Sequence, residues 1–358
     1  MGQIIIFHII SHFDLGGAER IAANIAESNN PSFEYHLIEV EKSKGVYRDD
    51  FLNELRNHRV RLHLSPIKSR KLAILLFPFW FIFIYLKYKP TVIHSHTEIP
   101  DLSVFLADKL FGRLMRNVRF VRTIHNTELW TGWKKIGKYV EKFFIEKKAN
   151  IAISLSTQKN YKENYGEKPA IIYNGVAEVE QKTFAEIANG RLNILFAGRL
   201  EYQKGVDQLI QIIEHYGNDN RFFFYVVGNG SKEEELKHRL RGINNVKYYP
   251  KIYKLSSYLF SFDYLLMPSN FEGLSLMSIE ASMAKLPVII NDCLGLKDTL
   301  PEQWPLKVKD NELSAYYNIF DHLQDFNRTE AGEQSYNFVK QHFTIKKMRE
   351  NYESLYLS

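Results

Sequence analysis

The sequence is poor in cysteine and contains no long uninterrupted apolar run. Its 358 residues include one cysteine, Cys293, which excludes a disulfide framework and a cysteine-based metal site and fits a reducing compartment. No apolar run reaches the roughly 20 residues that a membrane-spanning helix needs. The N-terminal apolar run lacks a basic start and ends in a glycine turn, so we interpret it as a buried strand rather than a signal peptide.

The composition is that of a folded protein with an uneven charge. Hydrophobic residues make up 45% and aromatic residues 14%, enough for two domains with sizeable cores and too much for a disordered chain. The net charge of +6 is concentrated in residues 1–174, which hold 26 Lys and Arg against 17 Asp and Glu. This excess predicts contact with an anionic surface. We expect no nucleic acid partner, because no base-reading motif is present; a cytoplasmic membrane leaflet is the better candidate.

One stretch, Leu72–Leu86, is apolar or aromatic throughout and is flanked by lysines and an arginine. It is short for a membrane span, and Pro78 interrupts it. Three interpretations remain open from the sequence: a buried helix, a segment that dips into the bilayer interface and is held by its basic flanks, or a true span.

Alternating strand-like and helical runs predict an α/β chain with two similar halves. Seven strand-like runs lie in the first half and five in the second, which is typical of parallel sheets with covering helices. We predict an N-terminal domain over 1–174, a polar linker over 175–189 and a C-terminal domain over 190–335. A helical segment follows over 336–358.

Two glutamates eight positions apart, Glu272 and Glu280, mark the most informative segment. The apolar run before them predicts a buried strand, and the spacing of Leu276, Ile279 and Met283 predicts a helix. Glu272 is therefore expected in a loop at the carboxyl end of a strand, with Glu280 near the start of the next helix. Open parallel sheets bind nucleotides at such a place, and helix N-termini attract phosphate.

The segment resembles the E-x7-E signature of the GT-B type glycosyltransferases, specifically the retaining group that uses nucleotide sugars (glycosyltransferase group 1). The resemblance covers nearly the whole chain. Its motifs are GGAER (Gly16 to Arg20), IHSHT (Ile93 to Thr97), TIHNTE (Thr123 to Glu128), YNGV (Tyr173 to Val176), FAGRLEYQKG (Phe196 to Gly205) and VGNG (Val227 to Gly230).

This resemblance implies two doubly wound Rossmann-like domains that face each other across a cleft, with the last helix crossing back to the first domain. It implies a retaining, metal-independent transfer of a hexose or N-acetylhexosamine from a nucleoside diphosphate sugar, most simply a UDP-sugar. The basic first half suggests a lipid-linked or growing glycan as acceptor, in O-antigen, capsule or exopolysaccharide assembly. The expected location is cytoplasmic and peripheral on the inner face of the membrane.

Two other functions remain open. One is a GT-B nucleotide-sugar epimerase or hydrolase, and the other is a non-catalytic membrane-bound scaffold for glycan assembly. No cofactor and no metal are expected, because the sequence has no Asp-x-Asp motif for a metal and cations and helix ends are left to meet the diphosphate charge.

The donor-binding residues of the second half are assigned by the resemblance. Arg199 and Lys204 would hold the diphosphate, Arg199 through two hydrogen bonds and Lys204 as a point charge. Glu280 would bind the ribose hydroxyls, and Glu272 the hydroxyls of the reacting sugar. Backbone amides at the helix start would bind phosphate; they belong to Gly273, Leu274, Ser275 and Leu276.

In the first half, Gly16 and Gly17 are expected to let the backbone approach the donor closely. His125 follows a predicted strand, and the family histidine at this position contacts the donor sugar near its anomeric carbon. Weaker candidates for the acceptor site are His96, Glu128 and Asn174. One departure concerns Lys285, where the family usually has glycine.

Overall fold

The computed structural model describes residues 3–14, 16–43, 45 and 47–358. Its chain forms two compact α/β units, each built on one parallel sheet. The predicted fold class is confirmed. All twelve predicted strands are present, with bounds that differ from the predicted ones by at most two residues.

The first unit comprises Met1–Gly175 and Ile345–Ser358. Its strands are β1 (Ile4–Ile10), β2 (Phe33–Glu39), β3 (Val60–His63), β4 (Val92–His96), β5 (Arg119–Ile124), β6 (Asn150–Ala152) and β7 (Ala170–Ile171). Its helices are α1 (Gly17–Ala26), α2 (Arg48–Arg56), α3 (Arg70–Tyr88), α4 (Glu98–Phe111), α5 (Lys134–Glu146), α6 (Leu155–Tyr165) and α12 (Ile345–Leu357). The sheet order is β3-β2-β1-β4-β5-β6-β7.

The second unit comprises Val176–Thr344. Its strands are β8 (Leu192–Ala197), β9 (Phe222–Val227), β10 (Val246–Tyr249), β11 (Tyr264–Met267), β12 (Val288–Asn291) and β13 (Lys307–Val308). Its helices are α7 (Val206–Tyr216), α8 (Glu233–Arg239), α9 (Leu276–Met283), α10 (Leu313–Asp321) and α11 (Arg328–His342), with a turn of 3-10 helix at Tyr202–Lys204. The sheet order is β10-β9-β8-β11-β12-β13.

Both sheets are buried on both faces, which explains their composition. Strands β8, β9, β11 and β12 are nearly continuous apolar runs, because helices cover each side of a parallel sheet. Helix α7 presents an apolar stripe to this core and its polar residues to solvent. The core of the second unit extends over both faces of its sheet.

In each unit the strand order reverses next to the first strand. The reversal lies between β1 and β4 in the first sheet and between β8 and β11 in the second. Connections leave such a pair of strands toward opposite faces, so a crevice opens beyond their carboxyl ends, and ligands of open α/β sheets bind there. The loops after these four strands carry most of the residues singled out above.

The C-terminal segment differs from its predicted form. The helical spacing over 336–358 belongs to two helices: α11 is part of the second unit, and α12 is part of the first, where it packs against α1. The break falls at Phe343 and Thr344, and neither glycine nor proline marks it in the sequence. Strand β13 was also not predicted, because its two residues are too few to form a recognisable pattern.

The apolar stretch at Leu72–Leu86 forms most of α3, and the two sides of this helix differ. One side packs into the core of the first unit through Ala73, Ile74, Phe77, Pro78, Phe81, Ile82 and Tyr85. The other side exposes apolar residues, with Leu75 62% and Phe83 73% exposed. By length and composition α3 could cross a membrane, but that is weak evidence because core helices pass the same test. Its packing in the core favours the buried and interfacial interpretations over a span.

Candidate functional site

Two loops meet at the switch point of the second unit. One follows β8 and runs to Gly205, and the other follows β11 and begins at Pro268. Gly205 has a φ of +67°, and a Cβ atom built there would lie 1.8 Å from the carbonyl oxygen of Pro268. Only glycine allows both the left-handed backbone and this approach. The glycine therefore fixes the distance between the two loops.

This contact places Lys204 beside Glu272. The Nζ atom of Lys204 lies 2.5 Å from Oε1 of Glu272, and the hydroxyl of Ser269 donates to the same oxygen at 2.9 Å. The side chains are 17% and 6% exposed, so the pair is largely shielded from water. The sequence-predicted cation and carboxylate are thus brought together, and each neutralises the other when no donor is present.

Arg199 belongs to the same pair of loops but remains exposed. Its Nη2 atom donates to Oε1 of Gln203 at 2.8 Å, and Nε2 of Gln203 donates to the carbonyl oxygen of Phe271 at 3.2 Å. Gln203 therefore links Arg199 to the loop that carries Glu272. The exposed guanidinium can take a second, bidentate partner such as a phosphate oxygen pair.

The VGNG motif supports the Arg199 loop from behind. A Cβ atom at Gly228 would lie 1.8 Å from the carbonyl oxygen of Gly198, and one at Gly230 would lie 2.4 Å from that of Leu200. Backbone hydrogen bonds join the same segments, including the N–H of Leu200 with the carbonyl of Asn229. The two glycines therefore let this segment pack closely against the Arg199 loop, a role that the sequence did not reveal.

The Glu272 loop leads directly into α9. Ser275 caps this helix by accepting from the N–H of Ser278, while Leu274 and Ser275 are buried and Gly273 and Leu276 are partly exposed. Glu280 lies one turn into α9 and is half-buried. The positive end of the helix therefore lies immediately after Glu272 in the chain. Lys285 follows α9 with a φ of +57°, the left-handed conformation that glycine adopts most easily at the end of a helix.

The candidates of the first unit lie around its own switch point. His96 ends β4, His125 directly follows the neighbouring strand β5, and Nδ1 of His96 lies 3.2 Å from Nε2 of His125. Glu128 is exposed in the loop beyond β5, and Asn174 is buried near the end of the unit. Within the part of the chain that the structure describes, no hydrogen bond joins Glu128 or Asn174 to the two histidines.

Gly16 and Gly17 begin α1 after β1. Gly16 has an extended φ of −94°, so its conformation does not require glycine. A Cβ atom there would meet the Glu19 carboxylate at 2.0 Å. The space over Gly16 is thus filled by Glu19, whose pKa is raised mainly by burial. A close approach of a donor to this turn would require the Glu19 side chain to move.

A third histidine, His8, joins this group and was not identified from the sequence. Nδ1 of His8, on β1, lies 2.9 Å from Nε2 of His96. Burial lowers the pKa of His8 and of His125 to about 3, and that of His96 well below its usual range, so all three are neutral near pH 7. The alternation of His8, His94 and His96 on adjacent strands was the available signal, since alternate residues share one face.

His8, His94 and His96 have ring nitrogens within 4.8 Å of one another, a spacing that invites a metal interpretation. Both nitrogens of His94 are already paired at 2.7 Å, with the hydroxyls of Tyr356 and Thr123. The rings of His94 and His96 stack with centroids 4.1 Å apart and planes inclined by 29°. Stacked rings do not aim their lone pairs at one point, as a metal ion requires. The cluster is therefore better described as two hydrogen-bonded chains.

Comparison with family models gives a match for each half of the chain. Residues 191–321 match the model of the glycosyl transferases group 1, and residues 15–178 match that of glycosyltransferase family 4. Together the two matches take in most of the sequence, including Lys204, Glu272 and the histidines at positions 96 and 125.

Two curated bacterial relatives are named as glycosyltransferases of capsular polysaccharide or O-antigen biosynthesis. The chain is 27% identical over 297 residues to the capsular polysaccharide biosynthesis glycosyltransferase CapH of Staphylococcus aureus, covering 78% of this chain and 79% of CapH. It is 25% identical over 259 residues to the O-antigen biosynthesis glycosyltransferase WbnH of Escherichia coli, covering 70% and 72%. The names of these two relatives place them in capsular polysaccharide and O-antigen biosynthesis.

Solved structures confirm the fold. A glycosyltransferase from Rickettsia africae matches with a TM-score of 0.80 at 17% identity, covering 99% of this chain and 98% of its own. HepE of Anabaena, solved with UDP and glucose, matches with a TM-score of 0.79 at 16% identity, covering 99% of each. At these identities the likeness establishes the architecture and nothing finer.

Proposed function

We infer that this chain belongs to the group 1 glycosyltransferases, and we propose that it moves a hexose or N-acetylhexosamine from a nucleoside diphosphate sugar to a hydroxyl of a growing glycan. The family matches and the polysaccharide relatives support the transfer reaction. UDP is the proposed nucleotide, since the similarly folded HepE was solved with UDP and glucose. O-antigen, capsule or exopolysaccharide assembly is the proposed setting.

The observation that carries this proposal is the Lys204–Glu272 pair at the switch point between β8 and β11. A diphosphate would attract Lys204 away from the carboxylate, and the freed Glu272 could then accept hydrogen bonds from sugar hydroxyls. The exposed guanidinium of Arg199 would add a second cation. One ion pair thus provides both the phosphate-binding charge and the sugar-binding acceptor.

The remaining roles follow the same logic. Glu280 would bind the ribose, and the backbone N–H groups at the start of α9 would bind phosphate oxygens. The two cations and the helix end would balance the charge that develops on the leaving diphosphate, so we propose a metal-independent reaction. Retention of anomeric configuration is proposed from the family resemblance alone, with the departing phosphate removing the acceptor proton.

We further propose that the enzyme works on a lipid-linked acceptor at the inner membrane face. The exposed side of α3 carries Leu72, Leu75, Phe79, Phe83 and Leu86. Lysines flank this helix, with Lys68 and Lys71 at its start and Lys87 and Lys89 at its end. Apolar side chains ringed by cations suit the interface of an anionic leaflet, where the chains insert and the cations meet lipid phosphates.

Donor turnover tests the function directly. Purified protein would be incubated with UDP-, GDP- and ADP-sugars and a lipid-extract acceptor, in the presence and absence of EDTA. We expect product from one UDP-sugar, the same rate with EDTA, and loss of turnover in Glu272→Gln. Equal turnover in wild type and Glu272→Gln would refute the site.

Incubation with donor alone separates the other functions. An epimerase or hydrolase would convert the donor rapidly to an epimer or free sugar, whereas a transferase would act slowly without acceptor. A non-catalytic scaffold would bind no nucleotide sugar in calorimetry.

A further inference from the structure

Three histidines of the first unit form one hydrogen-bonded row. Nδ1 of His8 lies 2.9 Å from Nε2 of His96, and Nδ1 of His96 lies 3.2 Å from Nε2 of His125. His8 and His96 are fully buried, whereas His125 is partly exposed. The row therefore begins in the core beside β1 and ends at the carboxyl edge of the sheet.

A row of neutral imidazoles has only two self-consistent proton arrangements. Each neutral ring carries one N–H and one bare nitrogen, so every ring that donates through one nitrogen accepts through the other. Either all three rings are protonated at Nδ1, and donation runs from His8 toward His125, or all three are protonated at Nε2 and donation runs the opposite way. The lowered pKa values of the three rings keep them neutral.

The buried end of the row decides between these arrangements. Within the described part of the chain, Nε2 of His8 is buried without any hydrogen-bond partner. Protonation at Nε2 of His8 would leave a buried N–H group without an acceptor, which is rare in proteins. An unprotonated Nε2 leaves only a lone pair without a hydrogen bond. Donation therefore runs outward, and His125 is left with its proton on Nδ1.

We propose that His8 and His96 are positioning residues that fix the tautomer of His125, so that its Nδ1–H is presented as a neutral hydrogen-bond donor to an oxygen of the donor sugar. The sugar as the recipient rests on the proposed function; the tautomer does not. A neutral N–H group with a fixed direction suits a hydroxyl oxygen of the sugar. The imidazole adds no charge beside the diphosphate, and its orientation is already set before the sugar binds.

The tautomer can be measured without any substrate. Full-length protein carrying 15N-labelled histidine would be studied by long-range 1H–15N spectra, with the His125 signals assigned through their loss in His125→Gln. We expect protonation at Nδ1 of His125. Protonation at Nε2 in the wild type would overturn the proposal, whatever the activity of the protein.

Variants of His96 test whether the row sets this state. Glutamine at this position can accept from His8 and donate to His125, so His96→Gln should keep the wild-type tautomer, whereas His96→Leu should give a mixture. A matched control is His94→Gln, since His94 is equally buried on the same strand but is bonded to Tyr356 and Thr123. An unchanged His125 signal in a folded His96→Leu protein would overturn the proposal.

Adding a nucleotide sugar tests whether the sugar accepts the hydrogen bond from His125. We expect the His125 Nδ1 signal to shift on binding the UDP-sugar, and kcat/KM for the donor to fall about tenfold in His96→Leu and to recover in His96→Gln, the effect of one neutral hydrogen bond. The correct tautomer in a protein that binds no nucleotide sugar would refute the proposed function and leave the row intact. Donor binding without a shift would refute the sugar as its recipient.

Discussion

Lys204 and Glu272 are paired through a 2.5 Å contact between Nζ and Oε1, although the sequence assigned them to different parts of the donor. The pair lies beyond the carboxyl ends of the central strands β8 and β11 and is largely buried. In the absence of ligand it satisfies two charges that would otherwise be costly to shield from water. The donor would have to divide this pair, so stability without ligand and affinity for ligand are linked at one contact.

The first prediction is that removing the charge of either Lys204 or Glu272 alone destabilises the protein. Lys204→Met should lower the free energy of unfolding by about 1–3 kcal/mol, because it leaves the Glu272 carboxylate shielded and unpaired. Lys204→Met combined with Glu272→Gln should recover most of that loss. Urea denaturation of the wild type, Lys204→Met, Glu272→Gln and the double variant gives the coupling energy between the two side chains. Purely additive losses of stability would contradict the pairing.

The second prediction concerns Arg199, whose side chain is exposed. Arg199→Ala should leave the unfolding free energy within about 0.5 kcal/mol of wild type, as exposed substitutions do. Affinity for UDP should fall about tenfold or more, because a charge-assisted bidentate contact is lost. The matched control is Arg241→Ala, an exposed arginine in another loop of the same unit. Titration calorimetry at two salt concentrations checks both variants, and equal UDP affinities would exclude Arg199 from the phosphate site.

The third prediction separates backbone strain from loop contact at two glycines. Gly205 and Gly190 have similar φ values, +67° and +73°. Alanine at Gly190 would meet nothing within 4 Å, whereas alanine at Gly205 would collide with Pro268. Gly190→Ala should therefore cost about 1 kcal/mol from the left-handed backbone alone. Gly205→Ala should cost about 3 kcal/mol or more in thermal unfolding, and an equal loss for both would show that the two loops are not in contact.

The fourth prediction tests the exposed side of α3. Leu75→Ser with Phe83→Ser should abolish most binding to anionic vesicles in a flotation assay, since two inserting side chains become polar. The control Phe260→Ser removes an exposed aromatic residue, 52% accessible, from the second unit and should bind as wild type. Binding should weaken with added salt because the flanking lysines act by charge. Equal flotation of all three proteins would exclude α3 from the membrane contact.

The fifth prediction is that the protein loses stability as the pH falls below about 6.5. The pKa of His8 is lowered by burial to about 3, and those of His94 and His96 are lowered well below 6.5, so these rings take up protons on unfolding. Each ring changes the free energy of unfolding by about 1.4 kcal/mol per pH unit. The stabilisation that it gives is complete above the pKa of the unfolded state and is lost as the pH falls toward the pKa of the folded state. Denaturant titrations at several pH values between 7 and 4 would measure the slope.

Asp101 opposes this trend. Burial raises its pKa to about 7 despite its ion pair with Arg122, so the folded protein binds a proton there that the unfolded chain releases. Its contribution is therefore present at low pH and is lost as the pH rises toward 7. The histidines with a lowered pKa, which include His125, outnumber the carboxyls with a raised pKa, which include Glu19, so stability should still rise with pH near pH 5. His8→Leu should reduce that slope by about 1.4 kcal/mol per pH unit, and a stability that is flat over this range would contradict the buried neutral histidines.

The second-half site was largely predictable, because its chemistry is local. The apolar run of β11, the exit loop and the helical spacing of α9 correctly predict where Glu272 and Glu280 lie relative to secondary structure. Lys204 and Gly205 were placed in the same way after β8. The contact between Lys204 and Glu272 was not predictable from spacing, since the residues are 68 positions apart and are brought together by the pairing of β8 with β11 and by the packing of the loops that follow.

The first-half site shows the limit of pattern reading. The hydrogen bonds that join His8, His96 and His125 were not predictable, because these residues lie on or directly after three different strands, far apart in sequence. Gly16 was assigned to a close approach of ligand, yet the Glu19 side chain fills that space. The turn was visible in the sequence, but the side chain that folds over it was not.

By itself the sequence determined the parallel α/β architecture, the strand positions and the family resemblance. These depend on periodic burial and on short motifs, which are written within a few consecutive residues. Tertiary structure alone decided which side chains touch: the cation with its carboxylate, the row of histidines, and the division of the C-terminal helices between the units. Such contacts are set by how strands align and how loops fold over their ends, and no stretch of neighbouring residues encodes that geometry.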